Sequence, residues 1–76
     1  MEFTIIGIKR KTGNYEGRDY DNLYLHCTYL DDGMLEGVAT TVVKIKQEHV
    51  DEQLKCGDKV TFFYDRYGNA VKVNIL

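Results

Sequence analysis

The chain contains no serine, no tryptophan and no proline. Without serine, a serine nucleophile is excluded outright. Without tryptophan, aromatic surface has to come from six Tyr and three Phe. No linker, repeat or low-complexity segment divides the 76 residues, so a single domain is expected, near the lower size limit for independent folding. Cysteine is scarce as well. Cys27 and Cys56 fit neither a disulfide framework nor a metal cluster by spacing. A zinc set assembled from His26, Cys27, His49 and Cys56 would lack the close Cys pair that marks a metal knuckle. Ordinary burial is therefore expected for both thiols.

Catalytic signatures are missing too. There is no Walker loop, no HExxH and no paired-carboxylate motif, and no neighbouring base marks either cysteine as activated. A non-enzymatic protein without cofactor or metal is expected. No apolar run is long enough to cross a bilayer, and Met1-Glu2-Phe3-Thr4 has no basic lead into an apolar segment. Those features lead to the expectation of a cytoplasmic protein without a membrane partner. Hydrophobic residues at 43% and charged residues at 29% fit a globular chain rather than a disordered one.

What is present concentrates between Lys9 and Tyr29, in KRKTGNYEGRDYDNLYLHCTY. Three consecutive cations, Lys9, Arg10 and Lys11, run into a glycine-containing loop with Tyr15 and Arg18, then into a strand with Tyr20, Tyr24 and Tyr29. Cations neutralise phosphates, and exposed rings offer a face to unstacked bases. The pairing of the two is what a flexible nucleic-acid strand requires.

Most of the chain has the period of two that marks strands. Thr4, Ile6 and Ile8 alternate with Phe3, Ile5 and Gly7 in a first strand of about residues 2 to 11, where Gly7 predicts a bend or bulge. Gly13-Asn14 and Gly17 mark the following loop. In a second strand, residues 20 to 30, Leu23, Leu25 and Cys27 share one face; Tyr20, Asn22, Tyr24, His26 and Thr28 share the other. Asp31-Asp32-Gly33 is a hairpin turn signal. The third strand, about 37 to 46, alternates Ala39, Thr41, Val43 and Ile45 with Val38, Thr40, Val42, Lys44 and Lys46. In QEHVDEQLKCG the period changes: Val50 and Leu54 stand four apart, acids come early and Lys55 late, and Gly57 follows. That order predicts a helix of about two turns. Strands at Lys59 to Tyr64 and Ala70 to Ile75, joined by a turn at residues 65 to 69, complete the order β-β-β-α-β-β.

An all-β chain with one short helix between its third and fourth strands has the succession of the five-stranded OB-fold barrel. In that fold the face of strands two and three and the loops one-two and four-five bind oligonucleotides or oligosaccharides. An SH3-like barrel, which usually lacks a helix at this point, is the second choice.

The net charge of −2 conceals an uneven distribution. Lys9 to Arg18 holds four cations and one carboxylate; residues 31 to 36 and 48 to 52 hold three carboxylates each and no cation. On an OB barrel the cations would gather around the binding face, and the acids would lie on the two-three turn and the helix. Charge runs are commonly just solvated surface, and Lys44 and Lys46 would equally serve as edge-strand lysines that discourage aggregation. Among the rings, Phe3, Phe62 and Tyr29 are expected in the core. Tyr20, Tyr24, Tyr15 and Tyr67 are expected outside it. His26 is expected to be a polar strand residue.

The segments GNYEGRDYDNLYLHC, VVKIK and LKCGDKVTFFYDRYGNAVKVNIL together resemble the gene V-type single-stranded-DNA-binding proteins of filamentous phages. The shared cadence is a basic one-two loop with glycines, a tyrosine entering strand two, a hydrophobic third strand ending in lysine, and a terminal hairpin. The resemblance implies an OB-fold homodimer that coats single strands with little sequence preference. It places Gly17-Arg18-Asp19-Tyr20 on the stretch whose tyrosine contacts DNA. The family often has proline where Asp19 stands, and its hairpins are somewhat longer than the four-five turn here.

The expected function is binding of single-stranded DNA or RNA. Arg10, Lys11, Arg18, Lys44, Lys46 and Arg66 would contact phosphates, and Tyr15, Tyr20, Tyr24 and Tyr67 would stack on bases. A protein-interaction domain docking through an exposed strand edge is the alternative from another class. A sugar-binding barrel using the same tyrosines comes third.

Overall fold

A computed structural model describes residues 1–31, 33 and 36–76. Five strands, β1 (Phe3–Tyr15), β2 (Arg18–Tyr29), β3 (Ala39–Lys46), β4 (Lys59–Tyr64) and β5 (Ala70–Ile75), close into a barrel in the order β1-β2-β3-β5-β4. All pairings are antiparallel except β3 with β5, which meet in parallel at Ile45 and Ala70. Closure between β1 and β4 rests on Phe3 opposite Val60 and Thr4 opposite Lys59.

Alternation along the strands fills the interior. Phe3, Ile5, Leu23, Leu25, Cys27, Val43, Ile45, Val60, Phe62, Ala70 and Val73 form one buried cluster. Phe3 meets Phe62 edge-on and Tyr29 at a tilt, with ring centroids 5.2 and 5.8 Å apart. Phe3 and Phe62 are thus core rings, and Tyr29 packs half-buried against them, as strand parity predicted. No buried polar side chain interrupts the cluster among the described residues.

Two expectations about chain path are corrected. The first strand does not end near residue 11, and no loop spans residues 13 to 17. β1 continues to Tyr15, and a two-residue turn at Glu16-Gly17 returns the chain directly into β2. Both turn residues have positive φ, 52° and 78°, the backbone of the tight turn whose twist matches a right-twisted hairpin. Gly17 supplies one of these at no steric cost. The ribbon extends past the barrel, and the molecule measures 45 × 23 × 22 Å.

The predicted two-turn helix is absent. Between β3 and β4 only Gln47–His49 is helical, a single 3₁₀ turn, and Val50 is already extended. A segment this short cannot offset the cost of helix nucleation by itself. Val50 and Leu54 still pack against the core from an irregular path, and Gly57 turns the chain with φ 99°. The two apolar positions four apart were a packing signal, not a helix signal.

Cys27 is buried and Cys56 exposed, so burial holds for only one thiol. Burial among apolar neighbours pushes the Cys27 thiol above its ordinary range. The turn expected at Asp31-Asp32-Gly33 lies partly outside the described residues. Its described part has the Gly33 N–H donating to Asp31 Oδ1 at 2.7 Å. No helix among the described residues is long and apolar enough to cross a membrane.

Candidate functional site

The register of β1 against β2 decides which side chains share a surface. Ile5 faces Cys27, and then Ile6 is passed over and Gly7 faces His26. Ile6 is the extra residue of a β-bulge, and a bulge shifts every later side chain of its strand to the opposite face. Phe3 and Ile5 point inward. Strict alternation would send Lys9 and Lys11 inward with them and Arg10 outward. With the bulge, Lys9 and Lys11 turn outward and Arg10 turns to the inner side.

The outer face of β1–β2–β3 then consists of cross-strand rows. Lys9, Tyr24 and Lys44 form one row, and Lys11, Asn22 and Lys46 the next. Toward the ribbon tip follow Gly13 opposite Tyr20 and Tyr15 opposite Arg18; toward the barrel lies Gly7, His26 and Val42. Opposed residues in an antiparallel pair point to the same side, so these rows build one surface. It carries five cations, three tyrosines and a histidine. From Gly7 to Tyr15, Arg18 to His26 and Val42 to Lys46, none of its positions is a carboxylate.

Local contacts set the rings. The Lys11 ammonium lies 5.0 Å from the Tyr24 ring centroid, a cation–π approach that leaves the ring half-buried between lysines of the flanking strands. Tyr20 lies across Gly13; a Cβ there would stand 2.5 Å from Tyr20 Oη, so glycine lets the ring lie flat along the ribbon. Tyr15, 71% exposed, ends the row.

The inner side of the ribbon is different. Arg10 donates from Nε to Asp21 Oδ1 at 2.8 Å and from Nη2 to Oδ2, and Asn14 Nδ2 donates to Asp19 Oδ1 at 2.8 Å. The hydrogen bond from Arg10 holds the Asp21 carboxyl below its ordinary range.

A cleft of about 830 Å³ opens beside the ribbon, lined among others by Tyr20, Asn22, Lys44, Lys46, Glu48 and Asp65. It brings the third strand's lysines and Tyr20 into reach of the turn between β4 and β5. Asp65 builds that turn. Its Oδ1 accepts from the N–H of Tyr67 and of Asn69, both at 2.9 Å, and the Asn69 N–H is the main cause of a lowered Asp65 carboxyl pKa. Arg66 and Tyr67 are not part of the cleft lining. The Arg66 guanidinium lies 5.0 Å from the Tyr67 ring centroid at the tip of the turn. Asp19, Asp21, Glu48 and Asp65 line the cleft together with Lys44 and Lys46, so the acids do not lie away from the cationic elements as charge distribution suggested.

Of the residues expected at a site, Lys11, Tyr15, Arg18, Tyr20, Tyr24, Lys44 and Lys46 share the outer face. Arg10 is on the other side of the ribbon, and Arg66 and Tyr67 stand apart on their turn. Lys9, absent from the expected set, occupies the row of Tyr24. The signal that finds it is Gly7 taken as a bulge, with parity inverted beyond that point. No family model, curated protein sequence or solved structure matches this chain.

Proposed function

We propose that this protein binds single-stranded nucleic acid, DNA in the first instance, on the outer face of β1–β2–β3, and that its barrel is of the OB type. The carrying observation is a face with five cations and three tyrosines and no carboxylate among its paired rows. Lys9 and Lys11 on one side and Lys44 and Lys46 on the other form two cationic rails. Neighbouring strands lie about 4.8 Å apart, so the rails stand roughly 10 Å apart with the β2 rings between them. Phosphates on a rail would leave bases free to lie over Tyr24 and Tyr20. Each stacked base would contribute about 1–3 kcal/mol. A duplex has no free base faces to offer these rings. The resemblance to gene V-type proteins and the strand order support the same reading, and the homodimer that the resemblance implies belongs to it.

Fluorescence titration with oligo-dT at two salt concentrations tests the proposal. With four or five phosphates neutralised, log affinity should fall against log salt with a slope of roughly −3. No binding at low salt would refute it. Competition by neutral glycans without a salt effect would identify a sugar-binding barrel instead.

A further inference from the structure

β1 leaves β4 early. Ile5 still exchanges backbone hydrogen bonds with the chain before β4: its N–H donates to Asp58 O at 2.9 Å and its C=O accepts from Gly57 N at 2.7 Å. Beyond Ile5, no strand among the described residues pairs with β1 on the side away from β2. The two-residue turn makes Tyr15 and Arg18 a pair that exchanges hydrogen bonds, so Tyr15, Gly13, Lys11 and Lys9 bond to β2. The N–H and C=O groups of Ile8, Arg10, Thr12 and Asn14 therefore point outward along a free edge.

Beside this edge, on the inner side of the ribbon, runs a groove of about 520 Å³. Ile8, Leu23, Val50 and Leu54 give it apolar lining. Asp51, Glu52, Gln47 and Gln53 line it too, as does Arg10, whose guanidinium is already held by Asp21. On the other side of the same edge stand Lys9 and Lys11. The edge thus separates a groove of mixed lining, with two acids and with Arg10 paired to Asp21, from a cationic surface.

We propose that the free edge of β1 accepts an added strand: an extended peptide whose side chains alternate apolar and acidic. Side chains of an added strand alternate between faces. One set would enter the groove, where Asp51 and Glu52 repel further carboxylates. The other set would lie beside Lys9 and Lys11, which favour them. A second copy is the wrong occupant, because an antiparallel β1–β1 pair that uses Ile8 to Asn14 sets Lys11 opposite its own equivalent and brings Lys9 only Gly13, with no carboxylate for either.

The test uses the full chain, isotope-labelled, with a short end-blocked peptide of alternating Glu and Val. A peptide of the same composition with all Glu preceding all Val is the control. The alternating peptide is expected to shift the amide resonances of Ile8, Arg10, Thr12 and Asn14, and to bind at least about tenfold more tightly than the block peptide. Thr12→Pro, which removes an outward N–H while leaving the β2 ladder its donors, should weaken binding by about tenfold or more. The double variant Lys9→Glu/Lys11→Glu should transfer preference to an alternating Lys-Val peptide, and this arm decides the matter if Thr12→Pro does not fold. Equal binding of the two Glu-Val peptides, or unchanged preference in the charge-reversed variant, would overturn the proposal. So would self-association of the chain that Thr12→Pro abolishes, since the occupant would then be a second copy.

Discussion

The two faces of the β1–β2 ribbon carry three formal charges each, and they use them differently. On the inner face Arg10 is neutralised by Asp21, and Asp19 is held by Asn14. On the outer face Lys9, Lys11 and Arg18 share their rows with tyrosines and an asparagine, and Lys44 and Lys46 extend the same surface on β3. Charges that satisfy each other inside the protein add shape to it. Cations with no ion pair of their own leave a positive field over their rows, softened near Lys44 and Lys46 by the carboxylates of the cleft. The net charge of −2 does not reveal this, because a single ribbon keeps the two kinds apart by strand parity.

The most damaging way to break the contrast is to remove the support common to both faces. Leu25 is fully buried beneath the row of Tyr24. Leu25→Ala should cost about 2–5 kcal/mol in urea unfolding, a large share of the stability of so small a domain, and both faces should fail together. Next in size is a ring of the outer face. Tyr24→Ala should weaken oligo-dT binding by about 1–3 kcal/mol, with the urea midpoint changed far less.

A finer separation comes from single cations. Lys44→Ala and Lys46→Ala should each reduce the log–log salt slope by roughly 0.7. Arg10→Ala should leave that slope unchanged, and an equal loss for Arg10 would erase the distinction between the faces.

The smallest expected effect is on acid stability. The Asp65 carboxyl is held below the ordinary aspartate value of 3.8 by the Asn69 and Tyr67 N–H groups. A depressed carboxylate stabilises the fold above its unfolded pKa and loses that contribution as pH falls through its folded value. Asp65→Asn should therefore flatten the acid limb of the stability profile below about pH 4, while binding to the outer face near neutral pH stays as it was.

Much of this architecture was legible residue by residue. β4 and β5 fall on their predicted bounds, because period-two alternation with a clear Asp-Arg-Tyr-Gly-Asn turn leaves no competing pattern. Leu23, Leu25 and Cys27 are buried, as their shared parity required. The Val50–Leu54 spacing misled, since an apolar pair four apart also suits an irregular segment laid over a barrel end. Gly13 and Asn14 suggested a loop because both are common there. Here Gly13 makes room for the Tyr20 ring within a strand, a reason visible only across the ribbon.

The amino-acid order by itself determined the succession of five strands, the inward face of β2 and the concentration of cations and rings between Lys9 and Lys46. It did not determine which of Lys9, Arg10 and Lys11 join the rings. That choice belongs to Ile6, the one residue passed over in the β1–β2 register. A bulge is a mismatch between two paired strands, and parity beyond it is set only once both strands have met.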